Sequence, residues 1–510
     1  MEMLSNFGLG LATAVTPEAL LFCFIGVTVG TFVGVLPGVG AMAAISLALP
    51  MTYHLDPTYA LIMLAGIFYG SQYGGSTASI LLNLPGSITN AVTCLDGYPM
   101  AQNGKAGVAL FVTAIASFIG SSFAIVIVMG FAPMIAEAAL NFSSYEYFAV
   151  MLMGLIAAST LSSGSPMKGL AAVVLGVTIG IAGTDVTSGQ YRFTFGLQGL
   201  SDGVNLVAIA MGLFGISEIV TNIGRGPGER GVIGKVTLRS MFPSREEWRR
   251  FWGPAGRGSV VGSAIGALPG IGPVLSAFMA YLLEKKVSRE PSKFGKGAIE
   301  GITAPEAANN AAVQAGFIPT LSLGIPGDAV MALMLGAMMI HGIVPGPLFM
   351  TEYPEMFWGL IMSFWIGNIL LLVLNIPLNG LWVRMLKIPY HVLYPAILVF
   401  ICIGVYSARN SVFDIYVALA FGLLGYLMNM MRYPTAPLLL GFVLGPLLEE
   451  HFRRSMLLSR GEFGAFMDRP LSAIFLIVTA GLMAFAGFTL LRQMRARKRQ
   501  RALAASGGSV

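Results

Sequence analysis

Two kinds of residue in this chain could do chemistry, and both lie in apolar surroundings. The first kind is polar side chains at helical spacing. In "APEAANNAAVQAG", Glu306, Asn310 and Gln314 fall at steps of four with Asn309 adjacent, and Ser76, Ser79 and Asn83 fall at i, i+3 and i+7 ahead of Pro85. An acid and amides among alanines and glycines are costly in lipid unless they face a polar interior; their plainer role is hydrogen bonding between helices. The second kind is a Pro-Gly break. "GVLPGVGAMA" spans residues 34–43 and "GALPGIGPVL" residues 266–275; "NLPGS" follows at 83–87 and "GIPGD" at 324–328. Proline removes a backbone donor, and glycine lets the chain turn and a ligand approach the backbone.

Each break leaves free N–H groups at a half-helix N-terminus, backed by roughly half a positive charge of helix dipole. Such ends suit an anion, and the opposing carbonyl ends suit a small cation. The chemistry is therefore binding. The candidate anion site comprises Pro37, Gly38, Gly40, Asn83, Pro85, Gly86, Ser87, Pro269, Gly270, Gly272, Asn310, Pro326 and Gly327. Asp328, directly after Pro326-Gly327, would compete with an anionic substrate or pair with a cation. The candidate cation ligands are Ser76, Thr77, Asn83, Asn309, Asn310, Thr320 and Ser322, oxygen donors suited to sodium. No Lys or Arg lies in any break, and the first 223 residues carry only Lys105, Lys168 and Arg192. Enzymes fit poorly: no G-x-S-x-G, Asp-rich metal motif or H-E-x-x-H is present, and the three cysteines and four histidines are scattered.

The elements that must hold these residues are membrane spans. The 510-residue chain is 55% hydrophobic and 11% charged, where a soluble protein carries about 25% charge, and runs of roughly 20 apolar residues recur along it. The net charge of +6 resides in the tail, where Arg492, Arg495, Arg497, Lys498, Arg499 and Arg501 face no acid. The basic balance thus reports topology, and no nucleic-acid partner is needed to explain it. The N-terminus has no basic region and no cleavage signature, so it is not read as a removable signal.

The breaks come in two matched pairs. Gly30, Gly34, Leu36, Pro37, Gly38 and Gly40 correspond to Gly262, Gly266, Leu268, Pro269, Gly270 and Gly272; the second break follows by 48 residues in one half (Pro37 to Pro85) and 57 in the other (Pro269 to Pro326). This order indicates an internal duplication. Residues 224–257, with eight basic and three acidic residues, and the basic loop 285–296 are both expected in the cytoplasm. The apolar stretch between them then enters and leaves as a re-entrant hairpin. The hairpin at 18–53 has flanks without Lys or Arg and fits entry from outside. Between the hairpins we read a broken span at 57–104 and spans near 106–130, 145–162, 168–183 and 203–223, five crossings that invert the second copy. That copy continues with a broken span near 298–342 and spans near 356–376, 392–407, 412–431 and 435–448; a last span at 471–491 delivers the tail to the cytoplasm.

The expected fold is an all-α polytopic membrane protein: an inverted-repeat secondary transporter with two re-entrant hairpins and two broken helices. Its parts are a first repeat (1–223), a basic cytoplasmic linker (224–257), a second repeat (258–449), and an additional span with the tail (450–510). The expected function is cation-coupled anion transport. The rival is an uncoupled anion channel or a carrier of another small anion, and the breaks alone are also readable as packing kinks.

"LPGVG", "YGSQYGGSTASILLNLPGS", "LDGYPMAQNGKAG", "APEAANNAA" and "LGIPGDAVMALMLGAMMIHGIVPGP" resemble the large membrane subunit of the tripartite tricarboxylate transporters, the TctA family, over nearly the whole chain. The resemblance implies a permease importing tricarboxylates or dicarboxylates, coupled to a sodium or proton gradient, with no cofactor and with sodium as the expected coupling ion. It implies two partners, a small four-helix membrane subunit and a periplasmic substrate-binding protein, and a multi-pass location in the bacterial inner membrane. The parent superfamily implies elevator-like motion.

Overall fold

The computed structural model describes residues 2–36, 40–161, 165–185, 188–222, 238–268, 272–385 and 390–506. Pro37, Gly38, Pro269 and Gly270 lie outside the described residues, as does the first part of the basic stretch 224–257.

The chain is almost wholly helical. Among the described residues the one strand pair is the two-residue antiparallel Gly183–Thr184 with Tyr191–Arg192. Among the described residues, five helices are long and apolar enough to cross a membrane, including Pro17–Val35, Pro354–Asn375, Val412–Met430 and Pro470–Leu490, and shorter apolar helices lie between them. This is a multi-pass membrane protein. The helices lie close to the expected spans, with informative differences at their ends. The span expected at 106–130 runs from Ala106 to Ala139, through Pro133. The span at 435–448 continues as a helix from Ala436 to Leu458, through Glu449, Glu450, Arg453 and Arg454. A helix over Glu2–Ala14 was not expected. The helix Arg245–Gly266 begins inside the basic stretch, on a capping box in which the Ser244 hydroxyl accepts from the Glu247 N–H (3.3 Å) and the Glu247 carboxylate accepts from the Ser244 N–H (2.7 Å).

Two compact units emerge. One comprises residues 1–141 and 204–427 and contains every break; the other comprises 142–203 and 428–510. In the larger unit, helices approach each other at backbone distance. A Cβ added at Gly26, Gly30 or Gly34 would come closer than 3.0 Å to the backbone of Met63, Ile67 or Ser71; one at Gly258, Gly262 or Gly266 would do the same to Ala304, Ala308 or Ala312. Within lipid, where apolar burial drives helices together weakly, such small-residue seams let backbones pack.

The smaller unit uses the same device, with Gly176 and Gly180 against the backbone of Leu438 and Phe442. It also carries an ion network. Arg192 forms a bidentate pair with Glu449 (2.6 and 3.1 Å), and Arg453 reaches Asp185 (3.1 Å) and Glu449 (2.7 Å). The hydrogen bonds to Glu449 raise the Arg192 pKa above its ordinary value.

Candidate functional site

The two broken segments share local geometry position by position. Helix Pro17–Val35 is followed after the first break by Gly40–Thr52, and Arg245–Gly266 by Gly272–Val287. Gly40 and Gly272 enter those second helices at φ +65° and +60°, a left-handed conformation that glycine adopts without Cβ strain. At the second break, Pro57–Leu82 ends on Asn83 at φ 56°, and Phe317–Leu323 ends on Gly324 at φ 69°, both left-handed caps. The two breaks of each half then meet. Gly86 packs against the Gly34 carbonyl and the Gly75 Cα, with Gly40 opposite its own carbonyl; Gly327 packs against the Gly266 carbonyl and the Gly316 Cα, with Gly272 opposite Gly327 and Asp328.

The halves differ in what fills the break. Asn83, Leu84 and Pro85 are exposed, whereas Gly324, Ile325, Pro326 and Gly327 are buried. The Asp328 side chain accepts from the Met331 N–H at 2.8 Å and caps Ala329–Ile340. That carboxylate stands where an anionic ligand of this helix would sit. Ser87, its counterpart in the first half, makes no side-chain cap; it turns toward Asn90, donating to Oδ1 at 2.6 Å.

Beside the second break of the first half, at residues 83–87, lies a buried polar cluster. The helix Pro57–Leu82 supplies Gln72, Ser76 and Ser79, the segment after the break supplies Thr89, Asn90 and Thr93, Ala106–Ala139 supplies Ser117, and Glu300–Ala315 supplies Glu306, Asn309 and Asn310. Glu300–Ala315 runs through Pro305 without breaking. Glu306, 1% exposed, accepts through Oε1 from Ser76 (2.8 Å) and Thr93, and through Oε2 from Ser117 (3.3 Å). Asn90 donates to the Ser76 hydroxyl (2.9 Å) and the Gln72 carbonyl (3.1 Å). Asn310 Nδ2 donates to Ser117 (2.8 Å) and to the Glu306 carbonyl (3.1 Å). Gln72 Oε1 accepts from Thr89 (2.6 Å) and Asn309 (3.2 Å).

Of the residues singled out in the sequence, Ser76, Asn309 and Asn310 come together here, with Ser87 at the edge. Thr77 faces a small cavity that Ser76 also lines, together with Tyr73, Thr113, Asn375 and Asn379. Thr320 bonds back to the Gly316 carbonyl (2.7 Å), and Ser322 to the Ala132 carbonyl (2.8 Å). Asn83 caps its helix at the surface. Sequence reading marked Glu306 as costly without placing it among the ligands, and it left out Gln72, Asn90, Thr93 and Ser117. Gln72 lies in a quoted motif, Asn90 and Thr93 share one helical face, and Ser117 stands between Thr113 and Ser121 at steps of four, a hydroxyl stripe that helical periodicity could have found.

A second buried acid, Asp96, ties this region together. Its Oδ1 accepts from the backbone N–H groups of Gly295, Lys296, Gly297 and Ala298 (2.8–3.1 Å), and its Oδ2 from the Tyr281 hydroxyl (3.0 Å). The helix carrying Thr93 is thereby anchored to the loop of the other broken segment.

These features define an α-helical membrane protein whose larger unit holds two interrupted segments around a buried polar centre. The profile of the Tripartite tricarboxylate transporter TctA family matches residues 20–440, and the chain belongs to that family. It is similar to an uncharacterized 52.8 kDa protein in the TAR-I ttuC' 3' region of Agrobacterium vitis, 48% identical over 495 residues covering 97% of this chain and 98% of that protein. An uncharacterized protein in the TAR-II ttuC' 3' region of the same organism is 55% identical over 212 residues, 42% of this chain and 88% of its own. No solved structure matches. The family is one of transporters, and its large subunit works with partner subunits and a binding protein.

Proposed function

We propose that the chain is the permease of a binding-protein-dependent secondary transporter in the bacterial inner membrane, importing tricarboxylates or dicarboxylates on a sodium or proton gradient. The observation that carries this reading is the repeated geometry of the breaks, with the same left-handed entries at Gly40 and Gly272 and the same left-handed caps at Asn83 and Gly324. A packing kink does not call for two breaks that meet, in the same order, in both halves. The repeats are read as inverted, each with a re-entrant hairpin, and the transport motion as elevator-like. The first-half break is the preferred seat of a substrate carboxylate, because Ser87 leaves the backbone donors there uncapped while Asp328 occupies its counterpart. Backbone donors neutralise an anion where basic side chains are absent.

The test is uptake of labelled citrate and labelled succinate into proteoliposomes holding the permease, its small membrane subunit and the binding protein, under imposed sodium or proton gradients. Accumulation above equilibrium that needs a gradient and the binding protein is expected; Gly38→Val and Gly270→Val should abolish it with assembly intact. Uptake that only equilibrates, with steady current, would establish the channel reading. Normal transport by both valine variants would move the substrate site away from the breaks.

A further inference from the structure

The Glu306 carboxylate is buried inside the larger unit. None of the ion pairs of the described residues includes it. Its partners are three hydroxyls and the Asn90 amide, and one hydroxyl is shared, since the single Ser76 hydrogen is within reach of both Glu306 Oε1 (2.8 Å) and the Gln72 carbonyl (3.1 Å). On the same helix, the side-chain oxygens of Asn309, Asn310 and Gln314 are buried with no hydrogen-bond partner. The Asn310 orientation is not arbitrary: its Nδ2 must face the Glu306 carbonyl, which accepts only, so Oδ1 is the free end. The centre therefore holds one buried acid and more acceptor oxygens than donors. Buried polar groups are normally partnered, and a buried carboxylate left ionised without compensation is strongly disfavoured. A ligand with positive charge and no lone pair would satisfy both deficits.

We propose that Glu306, with Ser76, Thr93 and Ser117 around it and the free oxygen of Asn310 nearby on its helix, is the seat of a monovalent cation, and that this is where the coupling gradient acts. This rests on the transporter reading above. Proton and sodium share the required chemistry: a proton converts the carboxylate to a carboxyl group and supplies the missing donor, whereas sodium is coordinated by the oxygens directly. The same network gives the cation a path to the substrate. Asn90 donates to Ser76 at one end and its Oδ1 accepts from Ser87 at the break at the other. A cation that draws Ser76 away from its present partners is felt at Ser87 through one intervening side chain. A merely structural cluster would serve as well with glutamine at this position, since glutamine keeps the shape and an acceptor oxygen.

The experiment uses the purified full-length chain in liposomes, without substrate. Equilibrium binding of radioactive sodium is measured at several pH values, and the protonated-carboxyl infrared band is followed through a pH titration. If sodium is the ligand, the wild type binds it saturably and Glu306→Gln weakens binding by roughly 10–100-fold, the range for losing or misplacing a ligand. If the ligand is a proton, sodium binding is absent, and the wild-type-minus-Glu306→Gln difference spectrum shows one titrating carboxyl band. Should Glu306→Gln fail to fold, Ser117→Ala and Thr93→Val leave the charge in place and should each weaken sodium binding or shift the titration by about tenfold. The proposal is overturned if the variants match the wild type in both measurements, or if the wild type gives neither signal. Neither readout involves a carboxylate substrate, so failure of citrate or succinate uptake with cation binding intact would refute the transport reading and leave this site standing.

Discussion

Replacing Asp96 by alanine removes one carboxylate and strands five donors: the N–H groups of residues 295–298 and the Tyr281 hydroxyl. The donors are not equal. Gly295 and Lys296 are exposed and Gly297 is half-buried, so water replaces what they lose; Ala298 and Tyr281 are buried and find no substitute. A hydrogen bond to a charged acceptor contributes about 1.5–3 kcal/mol. Counting only the two buried donors at the low end of that range gives about 3 kcal/mol, or roughly a hundredfold in a local opening equilibrium. Hydrogen–deuterium exchange of the chain in lipid nanodiscs reads this directly. Amides 295–298 in Asp96→Ala should exchange about a hundred times faster than in wild type, and Asp96→Asn, which keeps one acceptor oxygen, should fall between. Because the same helix carries Thr93, cation binding at Glu306 should weaken in parallel. Exchange in Asp96→Ala within about threefold of wild type would refute the reasoning, since the loop would then be held by something other than this carboxylate.

Gly30→Ala and Gly262→Ala push a methyl group closer than 3.0 Å to the backbones of Ile67 and Ala308; each should destabilise by about 1–3 kcal/mol. Gly130→Ala, with nothing within 4 Å of the added carbon, should be neutral or slightly stabilising; equal thermal midpoints for all three would show that the seams are loose. Arg257→Ala leaves the Glu284 side chain, 2% exposed and bonded to Arg257 at 2.7 and 2.8 Å, as a buried unpaired charge. The expected loss is roughly 3 kcal/mol, most of it recovered by adding Glu284→Gln, and a double-mutant cycle with no coupling would contradict it. Topology is open to cysteine labelling on a background without native cysteines: Arg289→Cys should resist an impermeant reagent applied from outside, while Met350→Cys reacts. Equal labelling would overturn the inverted arrangement.

Much of this molecule is legible in one dimension. Apolar run length announces membrane spans because lipid thickness dictates helix length. The matched glycines and prolines announced the breaks because proline ends regular helical bonding and glycine turns without Cβ strain, and Gly40 and Gly272 do enter their helices with positive φ. The cost of Glu306, Asn309 and Asn310 in an apolar run was likewise readable, and the structure buries all three. Helix ends were less legible: Ala106–Ala139 outruns its expected span because apolar sequence continues past the point where a bilayer would require it to stop.

What sequence could not supply was partnership. Helical spacing tells which side chains share a face, but not what that face meets. Ser76 and Glu306 are 230 positions apart, and Asp96 lies about two hundred positions from the loop it holds. Ser79 and Asn83 share a face in sequence, yet one bonds the Asn90 carbonyl in the interior and the other caps a helix at the surface. Asp328 and Ser87 occupy equivalent positions after their breaks, and only the folded chain makes the first a helix cap and the second a link to Asn90. By itself the sequence determined composition, periodicity and the positions where backbone must bend, since these are local properties of residue type. Tertiary packing alone decided which oxygens surround the buried acid, because that depends on four helices meeting at one point, and no local preference encodes the meeting.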